Sequence, residues 1–125
     1  MSVDKRVGKV EEWPWPDSLD ALVAAPDYHR LLFENKRLRV LEVHIRPGEL
    51  VPVHTHRWPG AVYVVSESDF IRRDGGGKLL FDSRTARRPP SPATVLWTEP
   101  LTPHSVENIG DSEIFLITTE LKEPE

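Results

Sequence analysis

Twelve prolines and seven glycines cut this 125-residue chain into short pieces. Proline ends helices and central strands, and glycine favours turns, so few regular elements can run past about ten residues. The pieces between the breaks read as strands. RLRVLEVHI (37–45) alternates, with Leu41, Val43 and Ile45 on one face and Val40, Glu42 and His44 on the other. VPVHTH (51–56), AVYVVS (61–66), TVLWTE (94–99), HSVENI (104–109) and EIFLITTEL (113–121) are rich in β-branched and aromatic residues. SDFIRR (68–73) and KLLFD (78–82) flank DGGG, a strong hairpin turn, and HRLLFEN (29–35) makes a further short run. One segment, DSLDALVAA (17–25), has helical character, with Asp17 or Ser18 as N-cap and Pro26 as its stop. One short helix with eight or nine closely spaced strands predicts an all-β sandwich or barrel. The expected division is an N-terminal extension over 1–28, a barrel over 29–121 and a tail over 122–125.

The length suits one domain. Without cysteine no disulfide forms, which fits a reducing compartment. The N-terminus has no apolar stretch of the secretory kind, and no apolar run approaches a membrane span, so a soluble, cytoplasmic protein without a membrane partner is expected. The net charge of −4 argues against binding a phosphate backbone, and no room is left for a helix-turn-helix unit. The one basic cluster, Arg84, Arg87 and Arg88, lies in a Pro-rich stretch and reads as a solvated loop.

His54 and His56 stand one residue apart in a strand-like segment. Residues i and i+2 of a strand share a face, so the two imidazoles project together. Imidazole is costly to bury without partners. A metal ion is one such partner, and His104, after the Pro-rich approach of Pro100 and Pro103, is the natural third ligand. Two other readings stand beside it: a metal-free pocket lined by the rings, and hydrogen-bonded core histidines. His44 and His29 read as ordinary surface or hydrogen-bonded residues.

These residues carry a resemblance. Gly48, five residues, then His54-Thr55-His56 matches the opening of G-x5-H-x-H-x3,4-E-x6-G, and His104-Ser105-Val106-Glu107-Asn108 matches the H-x3-N of a second motif. With a hairpin between them, the chain resembles the cupin superfamily over about residues 29–121, which implies a jelly-roll β-barrel. The pattern departs where the motif glutamate belongs, at Gly60 or Ala61, and Leu101 replaces the glycine of the second motif. The resemblance then implies a divalent ion (iron, nickel, zinc or manganese) on His54, His56 and His104. It also implies a dioxygenase-like enzyme on a small oxygen-rich or carboxylate substrate, as in three-histidine cupin dioxygenases of thiols or diketones. The alternative is a non-catalytic cupin that binds a sugar or organic acid as a sensor or accessory protein. A homodimer is expected, since dimers are the commonest oligomers and small cupins often pair.

Among neighbours, Tyr63 and Arg57 are the candidate catalytic side chains, the phenol as donor to a bound oxygen and the guanidinium as carboxylate clamp. Trp58 is read as a pocket wall or dimer contact. Glu99, Glu107 and Glu42 are the carboxylates considered as replacements for the missing glutamate. Trp13 and Trp15, framed by Pro14 and Pro16, are expected to pack over the barrel, across a dimer, or as a lid.

Overall fold

The computed structural model describes residues 13–86 and 94–122. Among them nine strands follow one short helical segment: β1 (His29–Glu34), β2 (Leu38–Ile45), β3 (Leu50–His56), β4 (Gly60–Ser66), β5 (Phe70–Asp74), β6 (Leu79–Asp82), β7 (Val95–Thr98), β8 (Leu101–Asn108) and β9 (Ile114–Leu121). They form a five-stranded sheet in the order β1-β2-β9-β4-β7 and a four-stranded sheet in the order β3-β8-β5-β6. Every neighbouring pair is antiparallel. The expected all-β jelly-roll barrel is what forms.

Alternation decides what fills it. On β2 every second residue, Arg39, Leu41, Val43 and Ile45, is buried. Val43, Ile45 and Ile114 of one sheet meet Val51 of the other, with Ala25 among them, so both sheets share one core. The strand of the expected hairpin turns at Asp74, whose Oδ1 accepts from the Gly76 and Lys78 backbone N–H groups, and Gly77 takes φ +94° there. Asn108 is fully buried and structural: its Nδ2 donates to the Ile45 and Ser112 carbonyls at 2.9 Å each.

The helical segment differs from expectation. A 3-10 turn over Asp17–Leu19 precedes a single α-helical turn, α1 (Ala21–Ala24), and the cap is Asp20, which accepts from Leu22 N–H at 3.1 Å. Neither Asp17 nor Ser18 caps α1. Asp20 is extended because it also pairs with Arg39, at 2.8 and 3.1 Å, and bridges Thr55 of β3. The segment is fastened to the barrel, with Ala21 and Ala25 buried.

Arg84 bonds its neighbour Asp82 and is exposed, as a solvated loop residue should be; Arg87 and Arg88 lie outside the described residues. Trp13 and Trp15 make an edge-to-face pair 5.0 Å apart and do not line the barrel cavity. No described helix is long and apolar enough to cross a membrane.

Candidate metal centre

β3 is irregular on either side of His54, with register shifts between Val51 and His54 and between His54 and His56. His54 stands opposite His104 of β8 in the ladder, and cross-strand partners touch, so their ring centroids lie 4.4 Å apart. His56 lies 5.1 Å from His54 and 5.9 Å from His104. The three histidines chosen from the sequence therefore converge.

His29 joins them, against its reading as an ordinary residue. Its ring is 4.8 Å from that of His54 and 5.2 Å from that of His56. One ring nitrogen from each of His29, His54 and His56 lies within 4.8 Å of the other two. α1 and the turn after it deliver His29: its Nδ1–H donates to the Ala25 carbonyl at 3.0 Å, and it is the one buried residue of β1. No period in the sequence shows this, because a bulge between Leu31 and Phe33 breaks the alternation of that strand.

The four rings are oriented in one way. His54 Nδ1–H donates to the Pro52 carbonyl and His104 Nδ1–H to the Thr102 carbonyl, both at 2.7 Å. His56 Nδ1–H donates to Glu120 Oε2 at 2.6 Å. A carbonyl or carboxylate oxygen can only accept, so each Nδ1 carries the proton and the lone pair of the neutral ring sits on Nε2. Fixing the tautomer through Nδ1 is how proteins prepare histidine as a metal ligand.

Burial keeps three rings neutral. His54 is pushed down to about 2, first by burial and then by His104, His56 and His29 around it, against the Pro52 bond. His104 is lowered to about 3, chiefly by burial, against the Thr102 bond and with His56, Arg72 and His29 adding. His29 falls to about 4, by burial and the nearby His56, partly offset by the Ala25 bond, Glu120 and Asp20.

The missing carboxylate has a physical explanation. A Cβ at Gly60 would sit 2.0 Å from the Thr119 carbonyl oxygen, so no side chain fits there. Directly across the ladder from Gly60 stands Glu120 of β9, which is 1% exposed. Sequence reasoning missed it, although Ile114, Thr118 and Glu120 share the buried face of β9 by period two. Glu120 Oε1 accepts from Arg39 Nε at 2.6 Å, and Arg39, 4% exposed, holds Asp20 in turn. Burial alone would raise the Glu120 pKa, but the His56 and Arg39 bonds outweigh it and hold the group below the usual range. The chain Asp20–Arg39–Glu120–His56 thus ties α1 to one ring of the cluster.

Other candidates fall outside. Tyr63 is 44% exposed on the outer face of β4, because Val62 and Val64 take the cavity face. Arg57 is exposed and off the cavity wall. Glu99 accepts from Trp97 Nε1, Glu107 pairs with Arg73, and Glu42 with Arg30; none lines the cavity. His44 bonds Glu113 at 2.7 Å on the surface, as expected. Trp58 does wall the cavity, with the Arg39 guanidinium 5.0 Å above its ring.

The histidines line one part of a cavity of about 500 Å³, whose remaining wall is largely apolar, with Val43, Val51, Ile114 and Leu116. That volume suits a small organic molecule. Four imidazoles, each with Nδ1 engaged and Nε2 turned from the protein's acceptors, fit a divalent cation of the borderline class.

No family model and no curated protein matches the sequence. Solved structures do. A cupin domain from Bordetella pertussis superposes with a TM-score of 0.60 at 18% identity, over 76% of this chain and 92% of its own. The polyketide cyclase RemF from Streptomyces resistomycificus gives 0.51 at 18%, over 80% of this chain and 68% of its own. An uncharacterized protein with a double-stranded β-helix domain from Klebsiella pneumoniae gives 0.50 at 15%, over 97% and 88%. Identities this low speak for architecture alone. With its two antiparallel sheets closed over a histidine-lined cavity, the chain has the fold of a small cupin.

Proposed function

We propose that the protein is a metal-dependent cupin that holds one divalent ion on the Nε2 atoms of its clustered histidines and binds a small oxygen-bearing molecule beside it. His54 and His56 anchor the set, and His29 and His104 complete it. The observation that supports this is the common engagement of all four Nδ1 atoms, which leaves the four Nε2 atoms without a hydrogen bond among the described residues. A bound ion would supply Lewis acidity toward a ligand oxygen. The protein's own part is to fix the rings, exclude water with the apolar wall and keep Glu120 ionised behind His56.

The reaction class that follows from the three-histidine resemblance is dioxygenation. One observation favours the second reading, a binding protein without turnover: Tyr63 and Arg57, the side chains selected for chemistry, both lie outside the cavity. Metal analysis of tag-free protein tests the shared claim. About one iron, nickel, zinc or manganese per chain is expected, with loss in His54→Ala and His56→Ala and weakened retention in His29→Ala and His104→Ala. A metal-free wild type that takes up none of these ions on addition contradicts it. Oxygen uptake by the loaded protein then separates enzyme from binder.

A further inference from the structure

The cavity wall holds two charged groups that the histidine site does not use, Glu67 and Arg72. Arg72 of β5 lines it, on the same strand face as Phe70. In the ladder Arg72 stands opposite Val106, two residues from His104, which places it beside the histidine cluster. Its guanidinium lies 5.7 Å from the Phe70 ring and 5.6 Å from the Phe81 ring, and those two rings stack at 5.2 Å. The contrast with Arg39 is informative. Arg39 is buried, and Asp20 and Glu120 satisfy it. Arg72 has no hydrogen bond or ion pair among the described residues, and its Nε is a buried polar atom without a partner.

Burial of an unpaired guanidinium N–H is costly, and the charge of Arg72 persists at neutral pH although burial lowers its pKa. The aromatic contacts offset part of that cost but leave the Nε–H without an acceptor. Such a group keeps its place most readily where something else completes it.

We propose that Arg72 is the anion anchor of the cavity, and that the ligand is a small monocarboxylic acid with an apolar body. Its carboxylate takes the guanidinium fork, its carbon frame lies along the Val43, Ile114 and Leu116 wall, and its other end reaches the histidines. A carboxylate is favoured over a phosphate because one fork matches one bidentate monoanion, whereas a dianion needs more donors than Arg72 alone offers. This assignment rests on the reading of the cavity as a small-molecule site.

Calorimetric titration tests it with defined probes: a series from acetate to benzoate and 3-phenylpropanoate, their neutral amides, and inorganic phosphate. Wild type should bind at least one carboxylate about tenfold to a hundredfold more tightly than its amide. Arg72→Met, which keeps the bulk between the two phenylalanines, should erase that preference, and Arg72→Lys should restore only part of it. Metal content is read on the same samples. Carboxylates and amides binding alike, phosphate binding best, or an unchanged preference in Arg72→Met would overturn the Arg72 assignment alone. Failure of every probe would overturn the small-molecule reading with it. Absence of metal with an Arg72-dependent preference would overturn only the metal centre.

Discussion

Two glutamate–histidine pairs in this protein have nearly the same length and opposite surroundings. Glu120–His56 is 2.6 Å long with Glu120 1% exposed, and Glu113–His44 is 2.7 Å long with both side chains 41% exposed. Replacing each glutamate by glutamine keeps the shape and removes the charge. At Glu120 the two oxygens serve two donors, Arg39 Nε–H and His56 Nδ1–H. Glutamine has one oxygen, so its amide N–H must face one of those donors. Loss of a buried charge partner costs roughly 3–5 kcal/mol. Arg39 keeps Asp20, which places the cost near the lower end, about 3 kcal/mol. For a domain of this size that lowers the melting temperature by about 12 °C. Glu113→Gln, in water, should cost under about 1 kcal/mol. Urea denaturation of both variants in metal-free form at pH 7 makes the comparison. Equal small losses would refute the claim that the Asp20–Arg39–Glu120–His56 chain holds the cluster in place.

The remaining predictions are independent of that one. His29, His54 and His104, at about 4, 2 and 3, stay neutral where the unfolded chain, near 6.5, takes up protons. Metal-free stability should therefore be full above pH 6.5 and fall as the pH drops from there toward 4, by up to about 1.4 kcal/mol per pH unit for each ring. Glu120 acts in the same direction at lower pH, its contribution fading as the pH falls below the usual carboxylate range; a urea midpoint unchanged between pH 7 and 5 would contradict the buried neutral rings. Gly60→Ala should cost about 2 kcal/mol or more by forcing β4 from the Thr119 carbonyl, whereas Gly48→Ala, at φ +84° in open space, should cost about 1 kcal/mol; urea titrations rank the two. The edge strand β1 exposes Leu31, Leu32 and Phe33, so light scattering should give twice 14.3 kDa, and Phe33→Lys should halve it.

Period two made the barrel legible. The buried face of β2 and the hairpin at Asp74 follow from residue order alone, and so does the convergence of His54 with His56. His104 was legible through its motif, and the ladder supplies the reason, since it is the cross-strand partner of His54. His29 was not legible, because its burial depends on α1 docking and on a bulge that breaks the period of β1. Arg39 shares a face with Leu41, yet a charged residue on an apolar face has meaning only once Asp20 and Glu120 are found beside it. Tyr63 was misplaced by one residue of motif spacing. It shares strand parity with Ala61, one of the two positions open to the motif glutamate; the structure makes the other, Gly60, the inward position, so Val62 and Val64 face the cavity instead. Gly60, where the motif glutamate would fall, faces Glu120 across the ladder, a pairing that a linear motif does not display.

The central claim is that one cation sits among these rings. Crystals of protein loaded with iron, nickel or zinc, measured on either side of the metal's absorption edge, test it most directly. An anomalous peak is expected among the Nε2 atoms of His54, His56 and their two partners, at about 2.0–2.2 Å from each ligand. A peak at the surface pair His44–Glu113, or none at all, would contradict it.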